Sequence, residues 1–257
     1  MCINCGCAPT GAASDHHHAP PHDHDHAPRT VRVEADLLAK NDRLAAGNRL
    51  MFRQAGVFVL NLVSSPGSGK TTLLERTLRE QGRQLRFAVL EGDQQTSRDA
   101  DRIAAAGVPV RQINTGAGCH LDAHMVGHGV EGFDLPRTDI LMIENVGNLV
   151  CPASFDLGED HKVALLSVTE GEDKPLKYPQ MFRAASLLLI NKIDLLPHLD
   201  FDVECCKVYA RQVNPRIEIL ELSCRSGEGL AAWYEWLVAG VREKREASGG
   251  RGVEHKP

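Results

Sequence analysis

From residue 57 onward the chain alternates short, mainly apolar runs with longer amphipathic stretches. The runs cover residues 57–63, 85–90, 109–114, 138–143, 163–168, 185–190 and 217–222. Most are apolar at successive rather than alternate positions, as a strand is when both faces of its sheet are covered. Between them, helical spacing of apolar residues predicts helices near 70–81, 96–106, 119–130, 201–213 and 228–245. Strand followed by helix, repeated, predicts an α/β fold with a mainly parallel sheet of about seven strands flanked by helices. Ahead of this body, Leu37, Leu38, Leu44, Leu50 and Phe52 suggest one or two amphipathic helices leading in.

Residues 8–29 are dominated by Ala, Pro, Gly, Asp and His, with no large aliphatic side chain to offset ordering entropy. The expected organisation is therefore a flexible tail over 1–29, a body over 30–246, and a disordered C-terminal tail over 247–257.

At 257 residues, 42% hydrophobic and 25% charged, the chain fits one globular domain with an appendage, not a fibrous or wholly disordered protein. A net charge of -5 supplies no global basic field for nucleic acid. No run approaches the roughly 18 apolar residues that a membrane span needs, and the N-terminus lacks the pattern of an export signal. The expected compartment is the cytoplasm, where thiols stay reduced. Cys2, Cys5 and Cys7 precede His16, His17, His18, His22, His24 and His26, so much of the His and Cys content lies before residue 30. In that compartment Cys2-x-x-Cys5-x-Cys7 reads as metal ligands rather than as a disulfide framework.

The first apolar run leads into Ser64-Ser65-Pro66-Gly67-Ser68-Gly69-Lys70-Thr71-Thr72 and then a helix, the context of a phosphate-binding loop. Gly67, Ser68 and Gly69 turn backbone N–H groups toward phosphate oxygens, and the helix N-terminus adds a positive dipole end. Lys70 would reach the β/γ-phosphates, and Thr71, with Thr72 beside it, would serve Mg²⁺. Ser64 replaces the usual first Gly of the motif. Asn191-Lys192-Ile193-Asp194 follows the sixth run. A carboxylate at Asp194 can accept from both N1–H and the 2-amino group of guanine, which adenine cannot match, so GTP is selected over ATP. Ser223-Cys224, at the end of the seventh run, is placed to offer backbone N–H to guanine O6. Asp93 and Glu144, at strand ends, stand where Mg²⁺ coordination or water positioning is needed. Alternatively, Asp93 caps the following helix and Glu144 is a satisfied buried acid.

Cys119-His120-Leu121-Asp122-Ala123-His124 opens the helix expected over 119–130, and Cys151-Pro152 follows the run ending near Glu144. Loops at the C-terminal strand ends of a parallel sheet share one rim, so Cys119, His120 and Cys151 should lie near Lys70 and Asn191. His120 and His124, four apart, would face one side of a helix. Two thiolates and one or two imidazoles suit Zn²⁺ or Ni²⁺. The structural alternative makes Cys119 and Cys151 small core residues and His124 a surface one. His128 continues the same face and is read as solvent-exposed.

These elements together resemble the HypB family of hydrogenase maturation GTPases, in the SIMIBI class of P-loop proteins. The resemblance covers nearly the whole chain: the Cys2-x-x-Cys5-Gly6-Cys7 start, the His-rich tail, the phosphate loop, Thr115-Gly116 before Cys119-His120-Leu121, Glu144-Asn145-Val146-Gly147-Asn148-Leu149-Val150-Cys151-Pro152, and Asn191-Lys192-Ile193-Asp194. It implies slow GTP hydrolysis, GTP-dependent homodimerisation, and delivery of Ni²⁺ to the [NiFe]-hydrogenase large-subunit precursor with a HypA-type metallochaperone. It also implies a tight nickel site at Cys2, Cys5 and Cys7, and a second Ni²⁺ or Zn²⁺ site at Cys119, His120 and Cys151 at the dimer contact, with His124 a weaker candidate. Urease-maturation GTPases are the nearest functional neighbours. A P-loop metabolite kinase and a metal buffer with an incidental G domain are the other readings.

Overall fold

The computed structural model describes residues 27–93, 103, 107–116 and 118–249, with side chains from residue 35 and without that of Asp93. Cys2, Cys5 and Cys7, the His-rich stretch, and all of the helix expected over 96–106 except Ile103 lie outside the described residues. The described elements run α1 (Ala27–Ala55), β1 (Phe58–Ser64), α2 (Lys70–Gln81), β2 (Phe87–Asp93), β3 (Val110–Asn114), α3 (Ala123–Gly129), β4 (Ile140–Glu144), α4 (Cys151–Ser154), β5 (His161–Ser167), α5 (Lys174–Lys177), α6 (Pro179–Ala184), β6 (Leu187–Asn191), α7 (Val203–Val213), β7 (Glu218–Leu222) and α8 (Leu230–Gly249).

The strands form one seven-stranded sheet in the order β3-β2-β4-β1-β5-β6-β7. Every pairing is parallel. β1 shows why the apolar runs are continuous. Phe58, Leu60 and Leu62 pack on one face against Leu73, Leu74 and Leu78 of α2 and Trp233 and Leu237 of α8. Val57 and Val59 point to the other face, against Phe52 of α1 and Val126 of α3. Successive side chains leave a strand on opposite faces, so a sheet covered twice encloses every position, and each residue there is apolar or, like Asn61, hydrogen-bonded. Each buried Leu-sized side chain contributes ~1.5–3 kcal/mol. β3 and β7, at the two edges, each have an exposed position.

Two chain boundaries differ from expectation. α1 starts at Ala27, inside the stretch assigned to the tail, because Pro28 falls in a first turn where a missing N–H breaks no helical hydrogen bond. α8 runs on to Gly249 rather than ending at 246, and Ser248 Oγ donates to Arg53 O at 3.1 Å, docking its end on α1. β5 also begins earlier than its apolar run, because His161 and Lys162 are both strand residues and Lys162 is buried.

Candidate functional site

All strands being parallel, Ser64, Glu144, Asn191 and Leu222 reach one rim, where the connecting loops meet. The phosphate loop closes on α2 through Gly69, whose φ of 103° lies in the left-handed region. Lys70 Nζ donates to Ser64 Oγ at 2.9 Å, so the serine in place of the usual glycine gives the ammonium an acceptor. Thr71 Oγ1 donates to Glu144 Oε1 at 2.8 Å. A cleft of about 500 Å³ opens over these groups, lined by Lys70, Thr71, Glu91, Glu144 and Lys192 among others. Thr71 and Glu144 bring two hard oxygen donors together, which fits Mg²⁺. Asp93 closes β2 at the same rim.

Asn191 joins this cleft to a second pocket. Its Nδ2 donates to Ser68 O at 2.9 Å and its Oδ1 accepts from Cys224 N at 3.2 Å, with the side chain fully enclosed. Lys192 takes a left-handed φ of 65° and sends Nζ back to Gly67 O at 2.6 Å. The second pocket, about 200 Å³, is lined by Asn191, Lys192, Asp194, Leu195 and Cys224 among others. At Ser223-Cys224, expected to offer backbone N–H to a guanine O6, both amides are engaged within the chain. Ser223 N donates to Glu228 O at 2.9 Å, and Cys224, which lines the second pocket, donates from its N–H to Asn191 Oδ1 at 3.2 Å. What Ser223 offers is its hydroxyl, which donates to Asp194 Oδ1 at 2.6 Å and fixes the carboxylate at the pocket wall.

Three acidic or basic groups at this rim were not singled out from the sequence. Glu91 is buried in β2 and pairs in register with Glu144. Glu170 accepts from Ser68 Oγ and from Ser167 N at 3.1 Å, and Lys174 stands 3.4 Å from its other oxygen. The available signal was the polar run Thr169-Glu170-Gly171-Glu172-Asp173-Lys174 straight after a buried strand.

Beside the nucleotide cleft, Cys119 Sγ lies 2.7 Å from Cys151 Sγ and 3.6 Å from His120 Nδ1. Among the described residues this trio alone brings three His, Cys, Asp or Glu ligand atoms within 4.8 Å of one another. Both thiols are half-buried, unlike Cys206 and Cys224, which burial pushes up to about 12 and about 11 and which serve as packing. The His120 ring lies over Phe155 with centroids 3.9 Å apart, and burial lowers its pKa against the pull of Asp122.

His124 does not join them. Asp122 accepts from Met125 N at 2.8 Å as an N-cap, so the helix expected from 119 begins only at Ala123, and Cys119 and His120 sit on the loop before it. Helical spacing therefore never brings His120 and His124 onto one face, and the His124 ring packs 4.6 Å from that of His128.

The trio is tied firmly to its surroundings. Asn145 Oδ1 accepts from Leu121 N at 3.1 Å, and Asn148 Nδ2 donates to Cys119 O at 3.3 Å. Asn41 Oδ1 of α1 accepts from Ala123 N at 2.9 Å, while Asn48 donates to Ala123 O at 2.8 Å and Leu157 O at 3.0 Å. The loop carrying Cys119 and His120 and the loop carrying Cys151 are thus held by α1 on one side and by the exit of β4 on the other.

Residues 58–221 match the family model described as the CobW/HypB/UreG nucleotide-binding domain. The hydrogenase maturation factor HypB of Azotobacter vinelandii is 65% identical over 217 residues, covering 82% of this chain and 72% of that protein. The chain belongs to the HypB family of hydrogenase maturation factors. Among solved structures, HypB from Archaeoglobus fulgidus superposes with a TM-score of 0.74 at 41% identity, covering 79% of this chain and 99% of that one. HypB from Helicobacter pylori, solved in complex with nickel, gives 0.76 at 40% identity, covering 85% and 100%. As a HypB-family member the chain carries a P-loop nucleotide-binding domain, and the matched segment takes in both the cleft at Lys70 and the trio at Cys119, His120 and Cys151.

Proposed function

We propose that this HypB-family chain is a GTPase that carries Ni²⁺ as cargo for maturation of the [NiFe]-hydrogenase large subunit, with metal release coupled to the nucleotide state. The observation that carries the proposal is a shared strand exit. Glu144, bonded to Thr71 in the nucleotide cleft, is followed by Asn145, bonded to Leu121 beside His120, and then by Cys151 itself.

In this reading Lys70 and the amides of residues 67–69 neutralise and orient the phosphates, and Asp194, steadied by Ser223, selects guanine. Thr71, Glu144 and Asp93 would hold Mg²⁺, which supplies charge compensation to the phosphates when bound. Ordering of the β4 exit by bound GTP shifts the loop that carries Cys151, so that nucleotide state biases ligand geometry and cargo affinity. By linkage, bound metal biases nucleotide affinity by the same factor. Cys119, His120 and Cys151 take Ni²⁺ or Zn²⁺. Cys2, Cys5 and Cys7 form a separate nickel site in the tail over 1–29.

GTP-dependent homodimerisation, exchange with a HypA-type metallochaperone and a cytoplasmic setting complete the proposal. No helix among the described residues is long and apolar enough to cross a membrane. The test is nickel affinity of the full chain carrying Ser at positions 2, 5 and 7, measured with GDP and with a non-hydrolysable GTP analogue. A difference between the two supports the coupling, and equal affinities refute it.

A further inference from the structure

Lys162 is the least expected residue in the sheet. It stands in β5 with a side chain only 7% exposed, although an unpaired ammonium at that depth is heavily penalised. Burial lowers its pKa, with the nearby Glu159 and Asp156 opposing the shift. Its Nζ donates to Pro152 O at 2.7 Å, to Phe155 O at 3.1 Å and to Ala153 O at 3.4 Å. Glu159 Oε1 lies 3.8 Å away and supplies the countercharge. That carboxylate is itself fixed, accepting from Asn61 Nδ2 at 3.1 Å and from Leu157 N at 2.7 Å.

The acceptors of Lys162 are the key. Pro152 and Ala153 belong to α4, whose first residue is Cys151. Phe155 is the residue whose ring lies on His120. A four-residue helix leaves its carbonyls without helical partners, and its shape is set by whatever satisfies them. Here one buried cation gathers them. Asn61, at the far end of the chain through Glu159, also accepts from Asn145 Nδ2 at 3.2 Å, and so indexes the same group to the β4 exit.

We propose that Lys162 is a positioning residue for the thiolate–imidazole trio: by drawing the carbonyls of residues 152, 153 and 155 onto one ammonium, it sets the place of Cys151 and, through Phe155, of the His120 ring. Lys162 belongs neither to the trio nor to the lining of the nucleotide cleft. Its effect is to hold the ligands ready, so that binding a soft divalent cation requires little rearrangement. The inference rests on the proposed reading of Cys119, His120 and Cys151 as a nickel site.

The experiment uses the full chain with Ser at positions 2, 5 and 7 and Ni²⁺ as the probe, following the nickel–thiolate charge-transfer absorption. Lys162→Met combined with Glu159→Gln removes cation and countercharge together, so no buried charge is left unpaired. The expected result is roughly tenfold weaker nickel binding with a shifted absorption band, while GDP affinity stays within twofold. Amide hydrogen exchange should rise in residues 150–157 and not across β1 or α8. Lys162→Arg, which keeps a buried donor, should recover part of the nickel affinity. Unchanged nickel affinity and band position in the double variant overturn the proposal, as does a loss of affinity that comes with faster exchange throughout the sheet. Cys151→Ala in the same background separates the two layers. If it leaves the band intact, the site reading itself fails and Lys162 has nothing to position; if it abolishes the band while the Lys162 variant does not alter it, only the positioning role falls.

Discussion

Gly69 and Gly67 both adopt a positive φ in the phosphate loop, yet their substitution by alanine should differ sharply. At Gly67, φ is 75° and a Cβ would meet nothing within 4 Å. At Gly69, φ is 103° and a Cβ would lie 2.6 Å from Asn191 Nδ2. Holding alanine in the left-handed region costs ~1–2 kcal/mol at either site, and reduced freedom of the unfolded chain returns ~0.5 kcal/mol. Gly67→Ala should therefore lose about 1 kcal/mol. Gly69→Ala must also push Asn191 out of its bonds to Ser68 O and Cys224 N, each worth ~1 kcal/mol net. Its total loss comes to about 3 kcal/mol, or a Tm lower by roughly 6–12 °C against 2–4 °C for Gly67→Ala in a chain of this size. Thermal unfolding with and without GDP reads both values. The decisive arm is the double variant Gly69→Ala with Asn191→Ala: if the clash is with Asn191, the second substitution adds little to the first, giving strong non-additivity. Strictly additive losses, or equal effects at positions 67 and 69, would show that the contact with Asn191 is not what makes Gly69 necessary.

Asp194→Asn should abolish the preference for guanine over adenine nucleotides, and Ser223→Ala should weaken GDP binding by about tenfold, the equivalent of ~1.5 kcal/mol for a hydrogen bond to a charged group; competition with a fluorescent GDP analogue reads both. Cys119→Ala with Cys151→Ala, in a chain already carrying Ser at 2, 5 and 7, should remove the nickel–thiolate absorption while leaving GDP binding intact. Burial against Phe58 and Trp236 lowers the pKa of His161, with Asp160, Glu218 and Glu243 pulling the other way and Lys244 adding to the shift. The unfolded chain then binds the proton more readily, so stability should be full above about pH 6.5 and fall as pH drops below it. Urea unfolding at pH 7.5 and 5.5 should show this fall, reduced in His161→Gln.

The five inner strands were legible because a sheet covered on both faces leaves apolar runs, whereas the edge strands β3 and β7, with polar residues among their apolar ones, were legible from their place in the strand–helix alternation. Legibility failed where a single polar residue does structural work. Lys162 interrupts the pattern that marks β5, so its run appeared to begin at Val163, and only the enclosing carbonyls reveal why an ammonium is tolerated there. Asp122 looked like one more polar residue in a helix from 119, whereas as an N-cap it starts that helix later and takes His124 away from Cys119, His120 and Cys151. Cys119, His120 and Cys151 were readable from residue type and from the rim that parallel strands share. The bond from the Ser223 hydroxyl to Asp194 was not legible, because sequence spacing gives the position of a residue but not which of its groups is engaged.

The placement of β1 in the middle of the sheet bears on how the chain is made. Phe58 pairs with Ile140 on one side, and Leu60 with His161 on the other. Neither neighbour exists until more than half of the chain has been synthesised. At ~5–20 residues per second, the strand leading into the phosphate loop waits on the order of ten seconds with its Val and Leu side chains unpaired. Distant pairings of this kind also slow folding once the chain is complete. Guanine nucleotide cannot shorten that interval, since Glu144 and Asn191 are made later still than the loop they close upon. The earliest strand of the sheet to leave the ribosome is thus secured only after β4 and β5 have followed it, and a nascent-chain chaperone has its longest opportunity at the segment on which nucleotide binding depends.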